Sequence, residues 1–150
     1  MGGAVSTVID NLMDDKAKHK IVKPATGEPQ GSNNVREKGG TLTAFTPEFD
    51  RAKQKTNYSD AEILGHELKH GYNKQNNIDN SDLTVHTGQR THTGTEIGAV
   101  GEEVDAVNFQ NVIRQNESPW LLPRTTYGID ISSKLAIPSL IVPFKDKVGY

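Results

Sequence analysis

At 150 residues with a net charge of −2 and 33% hydrophobic residues, the sequence fits one domain with a modest core and much loop. The charge gives no electrostatic reason to bind nucleic acid or an anionic membrane, and no apolar run has the length of a membrane span. With no cysteine, disulfides and thiolate metal ligands are excluded, so a transition-metal site would use imidazole and carboxylate.

In chain order, residues 1–23 read as a short amphipathic helix. Val5, Val8, Ile9, Leu12 and Met13 are interrupted by Asp10, Asn11 and Asp14, which no secretory signal core would tolerate. Residues 24–40 are rich in Pro, Gly and Asn and read as irregular. Thr41-Leu42-Thr43-Ala44-Phe45 alternates and predicts a short strand ahead of Pro47.

Ser59 and Glu62 have the spacing of a capping box, and Ile63, Leu64, Glu67, Leu68 and Gly71 follow at helical intervals. A helix over 60–72 follows from these signals. Residues 73–94 are polar and predict a long loop. A second helix is expected over 96–116, with Ile97, Val100, Val104, Val107 and Ile113 as its apolar stripe and Pro119 as its stop. The tail, 129–150, holds β-prone fragments broken by Pro138 and Pro143. These elements together predict an α+β fold.

The helix over 60–72 carries His66-Glu67-Leu68-Lys69-His70. Residues four apart share a helix face, so His66 and His70 can offer two imidazole nitrogens to one ion, of which Zn2+ is the usual choice. Glu67, beside His66, is placed to take a proton from a metal-bound water. The competing reading is a chance pair of surface histidines, against which stand the predicted helix and its capping box. A catalytic zinc needs a third protein ligand and an open position. A histidine six residues past His70 would supply it, but Asn76 stands there. The second helix offers Glu103, which shares a side with Ala99, Val100 and Val107, with Glu102 as the alternative.

Other residues invite weaker readings. Val85-His86-Thr87-Gly88-Gln89-Arg90-Thr91-His92-Thr93-Gly94 echoes a linker between nucleic-acid-binding zinc fingers, yet no cysteine is present to build such a finger. His86 and His92 read as solvated loop residues, His19 as a surface residue and Trp120 as a packing anchor.

The series from His66-Glu67-x-x-His70 through Glu102-Glu103-Val104 and Ala106-Val107-Asn108-Phe109-Gln110-Asn111-x-Ile113-Arg114 to Leu122-Pro123-Arg124-Thr125-Thr126-Tyr127-Gly128 resembles the NleD-like effector metallopeptidases. These occur as injected bacterial effectors and as toxin domains ending large Rhs-type proteins. The resemblance covers 61–128. It is also similar in motif to clostridial neurotoxin light chains, where the second glutamate of a Glu-Glu-Leu segment ligates zinc and an Arg-x-x-Tyr pair faces the scissile carbonyl. That likeness implies Glu103 as the third ligand, with Arg124 and Tyr127 as donors to the oxyanion. Thermolysin-like relatives place an aspartate four residues after the ligating glutamate. Here Val107 stands four beyond Glu103 and Ala106 four beyond Glu102, leaving Asp105 and Asn108 as candidates to support a ligand histidine.

The resemblance implies a small zincin-like metallopeptidase domain over 41–150, built from an active-site helix, a second glutamate-bearing helix and a small sheet. Residues 1–40 would be an N-terminal helix or flexible lead-in. The implied function is a zinc-dependent endopeptidase, an effector or toxin cleaving a protein in a target cell. It would be secreted without a cleaved signal peptide and delivered into the target cytoplasm, accompanied by a cognate immunity or inhibitor protein. The alternative functions are a self-processing or partner-processing protease and a non-catalytic binding module with a structural metal, and the alternative location is the bacterial cytoplasm.

Overall fold

A computed structural model of the chain describes residues 3–14, 19–24, 31–33, 40–46 and 57–136. Most of the expected irregular stretch over 24–40, and the tail from 137 with Pro138 and Pro143, lie outside the described residues. The architecture is α+β and divides into two compact units, Met1–Ile78 and Asp79–Tyr150.

In the first unit, α1 (Gly3–Met13) buries Val5, Val8 and Leu12, three positions at helical spacing, and leaves Met13 to solvent. Three short strands follow: β1 (Lys20–Val22), β2 (Gly31–Asn33) and β3 (Leu42–Ala44). They form one sheet in the order β1-β3-β2, with β1 parallel and β2 antiparallel to β3. The strand expected over 41–45 is therefore present as the centre of a sheet. Its partners come from the stretch expected to be a lead-in, because three-residue strands are too short to show period-2 alternation.

Helix α2 (Asp60–Gln75) packs against α1, β2 and β3. It begins where the sequence says it should. Glu62 N donates to Ser59 Oγ at 3.1 Å, and Ser59 N donates to Glu62 Oε2 at 3.0 Å. The helix outruns its expected end by one turn. Asn76 Nδ2 donates to the Tyr72 carbonyl at 2.8 Å, and Asn77 at φ 52° turns the chain away. Asn11 on α1 accepts from Gln75 Nε2 at 3.2 Å and Asn76 Nδ2 at 3.0 Å, tying the last turn of α2 to α1.

His19 departs from its expected surface role. It is half-buried, with Nδ1 2.6 Å from Thr41 Oγ1 and Nε2 3.1 Å from Thr43 Oγ1. A Cβ on Gly71 would sit 2.8 Å from the His19 ring, so the absence of a side chain there lets α2 close on this imidazole.

In the second unit, a 3-10 turn (Ser81–Leu83) leads into β4 (Val85–Arg90), which pairs antiparallel with β5 (Glu96–Ala99). The long loop expected over 73–94 is thus largely the end of a helix and a hairpin. Its polar composition reflects exposure on both faces, which hides strand periodicity from a hydrophobic pattern. His86 pairs with Glu96 at 3.1 Å, and the hydrogen bond from His86 holds the Glu96 carboxyl below its ordinary range. His86 and His92 are both exposed, as expected.

Helix α3 (Gly101–Glu117) starts five residues later than expected, because 96–99 pair as β5. Ile97 and Val100 are consequently exposed and leave the apolar stripe, while Val104, Val107 and Ile113 stay buried. The core here joins Ala99, Val104, Val107, Ile131 and Leu135, with Leu83, Val85, Tyr127 and Ile129 packed against it. Two-residue strands β6 (Thr126–Tyr127) and β7 (Ile129–Asp130) pair antiparallel around Gly128 at φ 71°, followed by a 3-10 turn at Ser132–Lys134. Trp120 is 54% exposed and does not anchor the core. No helix among the described residues is long and apolar enough to cross a membrane.

Candidate metal centre

His66 and His70 stand one turn apart on α2, both buried, with ring centroids 4.9 Å apart and planes 80° from parallel. Burial of both rings removes the reading of a solvated surface pair. Glu103 is half-buried in the first turn of α3. One nitrogen from each histidine and one Glu103 carboxylate oxygen all lie within 4.8 Å of one another. Among the described residues this is the one group of three or more such side chains with metal-binding geometry.

The donor set fits a divalent ion. Ligand atoms around a tetrahedral zinc sit about 3.4 Å apart, a spacing that falls inside the 4.8 Å within which the three side chains' donor atoms lie. Two neutral imidazoles and one carboxylate leave the positive charge of a divalent ion only half compensated, and three protein donors leave a coordination position for water or substrate.

Local chemistry explains why Glu103 is presented and Glu102 is not. Val100 caps α3 without a side-chain acceptor, and the work of fixing the first turn falls to the preceding segment. Thr84 Oγ1 accepts from Gly101 N at 3.1 Å, and Asn80 Nδ2 donates to Glu102 Oε2 at 3.0 Å. Glu102 is thereby turned toward Asn80, and the side chain of the next residue, Glu103, leaves the helix about 100° further round. The Asn80 backbone approaches so closely that a Cβ on Gly101 would fall 1.7 Å from its carbonyl oxygen. A glycine is required there by space. Acidic residues in this first turn are also favoured by the helix dipole.

Glu67 follows His66 on α2 and is half-buried. Of the two residues considered as supports for a ligand histidine, Asp105 Oδ2 accepts a long 3.4 Å hydrogen bond from Asn80. Asn108 Oδ1 accepts from Ala136 N at 2.9 Å.

Arg124 and Tyr127 are brought together, with the guanidinium carbon 5.1 Å from the ring centroid. The segment carrying them is gripped by three buried polar residues of α3, which sequence reasoning met only inside a resemblance. Asn111 brackets residue 124 as a strand partner would, donating to its carbonyl at 2.9 Å and accepting from its N–H at 2.7 Å. Arg114 Nε donates to the Leu122 carbonyl at 2.7 Å, and Arg124 Nη1 donates to Gln110 Oε1 at 2.9 Å. The available signal was three polar residues on a helix face where Val104 and Val107 predict apolar ones. Comparison with family models, curated proteins and solved structures finds no match to the chain.

Proposed function

We propose that this chain is a zinc-dependent endopeptidase with a zincin-like site, acting as a bacterial effector or toxin domain on a protein in a target cell. The observation that carries the reading is the clustering of His66, His70 and Glu103 beside a glutamate, Glu67, that follows a ligand on the same helix. A bound zinc supplies Lewis acidity, lowering the pKa of a coordinated water. Glu67 would be the general base, taking the proton of the attacking water and passing it to the leaving amine. Arg124 and Tyr127 donate hydrogen bonds to the oxygen on which negative charge develops, a role that rests on the motif resemblance. Delivery into a target cell without a cleaved signal, and a cognate immunity protein as partner, rest on the same resemblance.

A metal of purely structural use is disfavoured by the donor count. A closed zinc site takes four ligands, whereas the cluster among the described residues has three, and His86 is exposed and engaged with Glu96.

The test combines metal analysis of purified protein with N-terminal labelling of host and bacterial lysates to find cleaved proteins. Wild type should hold about one equivalent of zinc and generate new N-termini, and Glu67→Gln should hold the same zinc and generate none. Absence of zinc from the wild type, or undiminished cleavage by Glu67→Gln, would overturn the reading.

A further inference from the structure

Gln110 is 1% exposed, and its amide is used on one side only. Oε1 accepts from Arg124 Nη1 at 2.9 Å, while Nε2 has no hydrogen-bond partner among the described residues. Burying an amide N–H without an acceptor is unfavourable, and a methionine of nearly the same length would avoid it. Stability therefore gives a weak reason for glutamine here. What glutamine supplies and methionine does not is an oxygen that fixes one edge of the Arg124 guanidinium.

The position of Gln110 on α3 adds a second argument. It lies seven residues beyond Glu103, close to two full turns, so the two side chains leave the same helix face about 10 Å apart along the axis. Asn111 and Arg114 hold the backbone at 124 and 122 from the same helix. Thr126 O accepts from Arg124 Nε at 3.0 Å, and the guanidinium rests over Tyr127.

We infer that Gln110 is a positioning residue for Arg124, and that α3 acts as a rigid ruler setting the Arg124–Tyr127 pair at a fixed distance from the metal ligand Glu103. The inference rests on the peptidase reading for its catalytic consequence and on the hydrogen-bond geometry alone for its positional claim.

The experiment uses the full zinc-loaded chain with Gln110→Met and Gln110→Glu. With the substrate found by the lysate labelling, Gln110→Met should lower kcat at least tenfold, with KM within twofold and zinc content full. Its melting temperature should be unchanged or raised. Gln110→Glu keeps the acceptor oxygen and should restore much of kcat. Undiminished kcat in Gln110→Met, or loss of melting temperature in parallel with activity, overturns the proposal. Should the wild type cleave nothing, the peptidase reading falls by itself. The positional claim is then read from the Arg124 Nη1–H signals in 15N NMR, which report the bond to Gln110 and are expected to exchange slowly in wild type and rapidly in Gln110→Met. Equal exchange in the two would overturn it.

Discussion

Adjacent glutamates at 102 and 103 show how much one residue of phase matters on a helix. Their side chains differ by about 100° in direction, enough for Glu102 to meet the Asn80 amide while Glu103 joins His66 and His70. Glu103→Ala should therefore reduce zinc affinity by more than about a hundredfold, beyond what loss of a residue that merely supports a ligand costs. Glu102→Ala should chiefly lose a hydrogen bond, worth about 1 kcal/mol of stability. Isothermal titration with zinc on both variants separates the two, and the reverse ranking would move the ligand by one position. Tyr127→Phe makes a comparable distinction at the other end of the proposed site. Its ring packs against the core of Val104, Val107 and Ile131 and Phe keeps that packing, so the change in stability should not exceed that of one hydrogen bond, about 1 kcal/mol. If the hydroxyl meets the oxyanion, kcat should fall about a hundredfold with KM and zinc content retained. Full turnover would assign Tyr127 to packing alone.

Helix α3 carries Glu103 and the residues that grip the segment over 122–124, so most of the proposed chemistry depends on it, and its start is fixed by space rather than by capping. Val100 offers no side-chain acceptor, so Thr84 and Asn80 hold the first turn from outside. Gly101→Ala puts a methyl on the Asn80 carbonyl, 1.7 Å from the oxygen, and the turn must shift to admit it. A loss of about 1–3 kcal/mol in stability is expected. Because Glu103 lies two residues on, zinc affinity should fall with it. Thermal denaturation and zinc titration of this one variant check both, and a stable variant with intact affinity would show that the turn has slack. Helix α2 contrasts with this. Its Ser59–Glu62 box satisfies backbone donors locally, and this is why its start could be read without any tertiary information.

For the molecule as a whole, the ligand set predicts coupling between metal and folding. Unfolding separates His66 and His70 from Glu103, which is 33 residues away from His70 in sequence, and so abolishes the site. An ion that binds only the folded chain stabilises it by about 2.7 kcal/mol at a hundred times its dissociation constant. For a chain of this size, that corresponds to a rise of roughly 5–10 °C in melting temperature. Zinc should produce this shift, a chelator should reverse it, and Glu103→Ala should blunt it. A melting temperature indifferent to zinc in the wild type would argue that the cluster takes no ion.

By itself the sequence determined the features whose causes are local. The capping box and apolar spacing of 60–72 define α2, and four-residue spacing alone puts His66 and His70 on one face. The absence of cysteine restricts any metal to imidazole and carboxylate. The sequence also favoured Glu103 over Glu102 as third ligand, although of the residues that argued for it only Val107 lies on the helix and is buried, Ala99 being in β5 and Val100 exposed. What the tertiary structure alone decided concerns partners distant in the chain. Residues 96–99 left the expected helix because β4 was available to pair with them, a choice no helical periodicity can register. Residues 20–22 and 31–33 became strands because β3 lay between them. His19 became half-buried because Thr41 and Thr43 offered hydroxyls and Gly71 offered room. Gln110, Asn111 and Arg114 look like misplaced polar residues on an apolar face until the segment over 122–124 arrives to use them. A buried polar group is acceptable only when its partner is in place, and the identity of that partner is a property of the folded chain.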